Sequence, residues 1–468
     1  MDTVAARVRV VVLNYDGGAM TFDCLDSVLA SEWPADRLEV ILVDNGSLDS
    51  VAETVVHEPR YRHRVRLLEP LYNLGFAGGC NLGLRQTGDW DYALLVNNDA
   101  TLQPDTLANL VAAAQRNRAA GDDRIGAVAA KLLFADPAQG IALECDTSGP
   151  LVPGDPRPLG VRVTGVRLDG ERHDARVAFD EGFHLREAPV TADDEELACW
   201  SRRQGAVRIS MPPGASPVQR VSLRLSCLVE RTVTLRDERT GEGAMTVSVG
   251  PEGRWVEVGV HPAPFDVINN VGGALYLDAF AGDRGFLEAD RGQYDHPTEV
   301  FAWCGGAVLL DRRYLDEVGL FDDRLFLYYE DTELSWRGRR HGWRYVYEPT
   351  AVVRHRHAAS SGVGSLVFRY HTERNRLLVA ARHAPARLAA RVGAGELRRL
   401  AGTLVRHLVL RPLRLRLPVR AEVAFRLRVA RGYLALLPAM LTARWQRGAR
   451  VRRRAVAAWA LDKWADRP

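Results

Sequence analysis

Three apolar, β-branched runs in the first hundred residues each end on an asparagine or an aspartate, and helical spacing fills the gaps between them. Residues 7–13 close on Asn14-Tyr15-Asp16-Gly17-Gly18, residues 38–43 on Asp44-Asn45-Gly46-Ser47, and residues 92–96 on Asn97-Asn98-Asp99. Phe22, Leu25, Val28 and Leu29 mark the first helix, Asn73-Leu74-Gly75-Phe76-Ala77-Gly78-Gly79 opens another, and Pro104 starts a third. Strands that alternate with helices predict a mostly parallel, doubly wound α/β sheet. In such a sheet ligands bind beyond the carboxyl ends of the strands. Asn14, Asp44, Asn73 and Asp99 therefore belong in or beside one crevice.

The alternation stops between residues 141 and 265. Short period-two runs replace it, among them 161–167, 207–211, 221–229, 231–235 and 245–249. They predict an inserted antiparallel sandwich or jelly-roll. Carbohydrate binding, self-association as a homo-oligomer and plain packing are all compatible with it. The α/β pattern resumes at Ile268-Asn269-Asn270-Val271-Gly272-Gly273, followed by Trp303-Cys304-Gly305-Gly306-Ala307 inside a strand-like run. Paired glycines there point to a close backbone approach. The expected division is an α/β domain from 1–140 and 266–382, a β-rich insert from 141–265, and a basic helical region from 383–468.

Residues 326–357 read FLYYEDTELSWRGRRHGWRYVYEPTAVVRHRH. A helix is expected to start at Glu330-Asp331, with Asp331 at the cap, and to stop at His341-Gly342. Strands at 343–347 and 351–357 follow, and period two puts His355 and His357 on one face. The small-residue loop 358–364 suits a moving lid or an ordinary surface loop. A helix over 365–382 carries Arg374-Asn375.

Composition narrows the class. Of 468 residues, 47% are apolar and 26% charged, as in a soluble globular protein. Six cysteines without a C-x-x-C pair fit reduced thiols in a cytoplasm and argue against a disulfide frame or a zinc site. Residues 1–9 do not read as a signal peptide, and no apolar run approaches a bilayer span. The net charge of +3 hides an asymmetry, because residues 391–468 carry +15 and the preceding ones −12. Leucines and Trp445, Trp459 and Trp464 accompany that charge, which suits an anionic membrane surface better than nucleic acid. The expected location is cytoplasmic, peripheral at the inner face of the membrane. Lys131 and Lys463 are the only lysines. The chain thus has no lysine-bearing glycine-rich phosphate loop, which disfavours nucleotidyl transfer.

The crevice residues suggest a chemistry. Asp44 can accept the imide N–H of uracil or thymine, which cytosine lacks. Asn73 and the glycines after it can bring backbone amides to phosphate or ribose. Asp99 can ligate a divalent cation that neutralises a diphosphate leaving group. His355 can add an imidazole ligand, which tilts the metal toward Mn²⁺, with Mg²⁺ the alternative. Asp331 is then free to act as general base on an acceptor hydroxyl. One base and no covalent nucleophile give a single displacement with inversion.

Taken together, DNGS, NLGFAGGCNLG, VNNDA, WCGGAVLLDRR and FLYYEDTELSWRGRRHGW resemble family 2 glycosyltransferases with the GT-A fold. The similarity is to the rhamnosyltransferase-like and galactofuranosyltransferase-like branch, over about residues 7–135 and 266–380. It implies that Asn14, Asp44, Asn73, Asn98 and Asp99 meet the nucleotide-sugar. It also implies that Asp331 is the base and that Trp303, Gly305, Gly306 and Glu330 line the acceptor. Asp99 and His355 would hold the metal, with His357 the competing choice. Asn97 stands where the family's metal motif has its first acid, and Arg374-Asn375 resembles a segment near the phosphates or acceptor. The implied partners are a UDP- or dTDP-sugar donor and a glycan or polyprenyl-linked acceptor in cell-envelope polysaccharide synthesis. A non-catalytic carbohydrate-binding or scaffold protein retaining the fold is the alternative reading.

Overall fold

The computed structural model describes residues 5–151, 157–172, 176–180, 182–184, 199–356, 365–413, 419–445 and 448–461. The chain forms two compact units, one of residues 1–132, 270–286 and 293–468, the other of residues 133–269 and 287–292.

The first unit is built on a mixed sheet. Strands β1 (Val8–Asn14), β2 (Leu38–Asp44), β3 (Val65–Leu68) and β4 (Tyr92–Asn97) run parallel in the order β4-β1-β2-β3. The cores of β1, β2 and β4 are continuous apolar runs because both faces of the sheet are covered. Helices α1 (Ala19–Leu29), α2 (Val51–His57), α3 (Gly75–Leu84) and α4 (Thr106–Ala119) lie between or after these strands in the chain. Helix α3 sits tightly on β1: a Cβ at Gly79 would lie 2.3 Å from Leu13, and one at Gly83 2.6 Å from Val11.

Beyond β4 the sheet departs from parallel order. Strand Ala307–Asp311 pairs antiparallel with β4 and with β6 (Ile125–Phe134). The two strands expected around residues 343–357 are one, Arg344–His355, which pairs antiparallel with the short β5 (Ala100–Leu102). That pairing sets His355 opposite Ala100, next to the end of the Asn97-Asn98-Asp99 turn. Helices α5 (Arg312–Val318) and α6 (Glu330–Arg340) lie between these last two strands in sequence.

After them come α7 (Leu366–His383), α8 (Ala386–Leu404) and the helix Arg420–Arg444. They share one apolar cluster through Leu377, Leu378, Val392, Phe425, Val429 and Met440. No helix among the described residues is long and apolar enough to cross a membrane.

The second unit consists of two antiparallel sheets around a shared core. One orders strands Val177–Phe179, Gln204–Ser210, Ala138–Cys145, Arg231–Asp237 and Met245–Val249. The other orders Cys199–Trp200, Arg162–Leu168, Arg220–Ser226 and Arg254–Gly259. Strict alternation explains the layering: Val221, Leu223 and Leu225 point inward with Val233 and Leu235, while the intervening residues stay more exposed. All six cysteines are free, and five are buried.

Candidate active site

Parallel register delivers the first half of the site. Asn14 ends β1 opposite Asp44, which ends β2. The buried Asn14 amide donates to Asp44 Oδ1 at 3.2 Å and to Ser47 Oγ at 3.0 Å. Its Oδ1 accepts from Thr21 Oγ1 at 2.7 Å and from Asn98 Nδ2 at 3.0 Å. Ser47 also donates to Asp44. Asn14, Asp44 and Asn98 are thus joined in one network, and Asp49 belongs to it at 3.4 Å from Asn14 Nδ2 while also accepting from Gly18 N at 2.8 Å.

Asn73 is fixed beside this network. Its Oδ1 accepts from Asn45 Nδ2 at 3.0 Å and from Gly75 N at 2.7 Å, while Asn45 Oδ1 accepts from Leu74 N at 2.9 Å. These bonds shape the turn into α3. Asn45 and Ser47 belong to the turn that closes the second apolar run, and Asp49 is a further polar residue of the site that the strand-end pattern alone does not mark.

The second half lies on the other side of β4. Asp99 Oδ1 is 3.0 Å from His355 Nε2, and both side chains are buried. Asn97, also unremarked as a contact, brings its Nδ2 to 3.3 Å from the same ring nitrogen. His357 and the loop 358–364 lie outside the described residues.

The segment Trp303–Ala307 connects this pair to α6. Gly306 O accepts from Asn97 N at 3.0 Å, and a Cβ on Gly306 would lie 2.7 Å from Leu132 and 3.5 Å from His355. Gly305 N is 3.4 Å from Asp331 Oδ2. Adjacent glycines therefore touch the Asp99–His355 pair on one side and the Asp331 carboxylate on the other. Trp303 instead points into the core, 1% exposed and edge-on to Phe321 at 5.9 Å.

Helix α6 begins one residue earlier than the expected cap. Tyr329 is the capping residue, in left-handed conformation, and Asp331 is the second residue of the helix. Asp331 is half-buried, and its Oδ1 accepts from Thr332 N at 2.5 Å and Thr332 Oγ1 at 3.2 Å. Burial raises its pKa, and the bonds from Thr332 and Gly305 hold it partly back. Glu330 is buried too. Burial and then the neighbouring Asp331 charge push its carboxyl well above the ordinary range. Its Oε2 has no hydrogen-bond partner among the described residues.

The turn before α6 is unusual. Phe326, Tyr328 and Tyr329 have φ of 66°, 64° and 70°. Each such non-glycine residue costs on the order of 1–3 kcal/mol unless its surroundings impose it. Arg374 and Asn375, implied to lie near the phosphates or acceptor, direct their side chains at this turn instead. Asn375 Nδ2 reaches three of its carbonyl oxygens, those of Leu325, Leu327 and Tyr328.

No group of three or more His, Cys, Asp and Glu side chains able to hold a metal occurs among the described residues. Asp99 and His355 offer an oxygen and a nitrogen donor of the kinds a divalent ion takes, and at 3.0 Å they lie within hydrogen-bonding distance of each other.

Residues 9–129 match the model of glycosyl transferase family 2. A 142-residue stretch is 30% identical to the N-acetylglucosaminyl-diphospho-decaprenol L-rhamnosyltransferase of Mycobacterium tuberculosis, covering 27% of this chain and 46% of the relative. A 112-residue stretch is 27% identical to an uncharacterized glycosyltransferase of Mycoplasma pneumoniae, covering 22% of this chain and 36% of that protein. The chain thus spans less than half the length of the curated relatives it matches.

Among solved structures, GalNAc-T7 with UDP, GalNAc and Mn²⁺ aligns at 12% identity with a TM-score of 0.44, over 82% of this chain and 49% of that one. The mannosyltransferase PcManGT of Pyrobaculum calidifontis, with GDP-Man and Mn²⁺, aligns at 15% identity with a TM-score of 0.39, over 92% and 88%. Likeness at that level transfers no chemistry. Residues 9–129 are thus similar to glycosyl transferase family 2, and a 142-residue stretch of the chain is similar to an L-rhamnosyltransferase.

Proposed function

We propose that the protein moves a sugar from a UDP- or dTDP-sugar to a glycan or polyprenyl-linked acceptor hydroxyl, with inversion and with a divalent metal. The observation that carries this reading is the meeting of Asp99–His355 and Asp331 on either side of Gly305-Gly306. Asp44, held by Asn14 and Ser47, offers a carboxylate to the imide of the base. Asn73 orders the start of α3, whose positive end favours phosphate. Asp99 and His355 would hold the metal, Mn²⁺ ahead of Mg²⁺ because one ligand is an imidazole. Bound there, such an ion would neutralise charge on the diphosphate leaving group. Asp331 removes the proton of the acceptor hydroxyl as its oxygen attacks the anomeric carbon. The bond to the diphosphate breaks on the opposite face, so configuration inverts. A raised pKa makes Asp331 a stronger base than an exposed aspartate while it stays ionised above that pKa.

Rhamnosyl or galactofuranosyl transfer is favoured, and the relative's diphospho-decaprenol acceptor makes a lipid-linked one the first to try. The test measures nucleotide release from UDP- and dTDP-linked sugars, with Mn²⁺, onto polyprenyl-diphosphate N-acetylglucosamine. Activity in the wild type and its loss in Asp331→Asn with nucleotide binding intact support the reading. Near-normal turnover in Asp331→Asn rejects the base. A wild type inert toward every donor favours a binding protein that kept the fold.

A lipid-linked acceptor requires contact with a membrane, and the C-terminal helices suit that. Leu397, Val405, Leu408, Val409, Leu410 and Leu413 are exposed beside the exposed Arg398 and Arg406. Residues 397–421 contain seven arginines and no acid. Binding to anionic vesicles that vanishes in Arg398→Glu/Arg406→Glu/Leu408→Ser supports docking at the inner membrane face; unchanged binding rejects it.

A further inference from the structure

We infer that Arg374 and Asn375 are positioning residues for catalysis: they clamp the left-handed turn that aims Asp331 at the acceptor. The inference rests on Asp331 being the base, and deepens that reading.

The turn is held against its own preference. At Phe326, φ is 66° and ψ is −62°, and Leu327 N bonds Leu325 O at 2.8 Å. This is a three-residue γ-turn of the rare, strained hand. Tyr328 and Tyr329 then continue with positive φ into the first turn of α6. None of the three is glycine, asparagine or aspartate, the residues that visit this conformation readily. Such a backbone persists only where neighbours over-determine it.

Most of the restraint comes from two consecutive residues of α7. The fully buried Asn375 bonds Leu325 O at 2.9 Å, Leu327 O at 2.9 Å and Tyr328 O at 2.7 Å through one amide nitrogen. Arg374 Nη2 bonds Leu325 O at 2.8 Å and Arg324 O at 3.3 Å. Arg374 Nε then donates to Asn375 Oδ1 at 2.8 Å, which fixes the amide orientation. His371, one turn earlier on α7, stacks on Phe326 at 5.4 Å.

The same turn reaches the nucleotide side of the crevice. Phe326 O accepts from Ala77 N at 3.2 Å, and a Cβ on Gly75 would lie 2.5 Å from Phe326. One strained turn therefore sits between the start of α3 and the start of α6, and two side chains lock it. An error of about 1 Å in a reacting group can cost about 10²-fold in rate.

The experiment compares Asn375→Ala, Asn375→Asp and Arg374→Lys with the wild type and Asp331→Asn, using the nucleotide-release assay and calorimetric binding of UDP and dTDP with Mn²⁺. Asn375→Asp keeps the shape but replaces the donor with an oxygen that repels the carbonyls. Both Asn375 variants are expected to lose roughly 30- to 100-fold in kcat, with donor KM and nucleotide affinity within about twofold of wild type. Arg374→Lys keeps the charge and is expected to show the same pattern with a loss of about tenfold, which covers the case in which the Asn375 variants do not fold. Wild-type kcat in the folded variants overturns the clamp, as does a parallel loss of nucleotide binding and turnover. If Asp331→Asn retains turnover, the base assignment fails instead, whatever the Asn375 variants do.

Discussion

Helix α6 carries three acids in its first turn, Glu330, Asp331 and Glu333, and their surroundings are opposite. In the first turn Glu330 and Asp331 are desolvated with no cation bonded to either among the described residues, and both carboxyls are pushed up. Two residues after Asp331, Glu333 is fully buried yet held far below the ordinary range. Burial alone would raise it, but Arg337 at 2.9 Å, Arg382 at 2.7 Å and His383 at 2.8 Å reverse the sign. Burial also drives His383 down to about 4, so at neutral pH its ring is neutral and the two arginines carry the compensating charge. A buried acid with cations around it holds the fold together. A buried acid without them is costly to ionise, the environment in which general bases are found.

The largest expected effect that sharpens this contrast is catalytic. Asp331→Asn should lower turnover by about 10²–10⁴-fold, the range of general-base catalysis, while its melting temperature holds or rises. A fall in melting temperature without loss of turnover would make Asp331 another structural acid and break the comparison.

Next is Glu333→Gln, which leaves Arg337 and Arg382 buried beside a neutral amide. Removing one partner of a buried ion-pair cluster costs about 3–5 kcal/mol, read in a denaturant titration. Turnover per folded molecule should stay near wild type. A stable Glu333→Gln with low turnover would move the chemistry from Asp331 to Glu333.

The pH dependences should also run in opposite directions. Glu333 has a folded pKa below its unfolded value near 4.5, so its stabilisation is present above that value and is lost as pH falls below it. His383, at about 4 against an ordinary 6.5, adds a loss of stability as pH falls between those two values, because only the unfolded chain takes up its proton there. Glu330 has the opposite sign, since its folded pKa is raised. Its penalty therefore grows as pH rises above about 4.5, and Glu330→Gln should gain stability over wild type between pH 5 and 8 but not at pH 4. Turnover should fall on the acid side through the raised pKa of Asp331, above the ordinary 3.8. Denaturant titrations and initial rates across pH 4–8 check all of these.

The smallest effect separates shape from charge. Gly306→Ala puts a methyl 2.7 Å from Leu132 and 3.5 Å from His355. It should weaken Mn²⁺ activation several-fold with little change in nucleotide affinity. An unchanged metal dependence would detach the glycine pair from the Asp99–His355 site.

Local sequence carried much of this. Continuous apolar runs ending on polar turns gave β1, β2 and β4, and strict alternation gave the sandwich strands, because strand periodicity and two-sided burial are written residue by residue. Parallel register then aligned Asn14 with Asp44, which any doubly wound sheet would do. The merging of residues 344–355 into one strand, and the antiparallel Ala307–Asp311, depended on which neighbours were available for pairing.

What the amino-acid order determined by itself was the set of chemical groups and the strand ends that present them. Tertiary structure alone decided that Asp99 meets His355, that Trp303 turns inward, and that two acids of α6 are desolvated without a bonded cation while a third is ringed by them. Those outcomes depend on desolvation and on partners distant in the chain, such as His383 for Glu333 and Asn375 for the turn before Asp331. No local pattern records them, because a residue's surroundings exist only once the chain has closed around it.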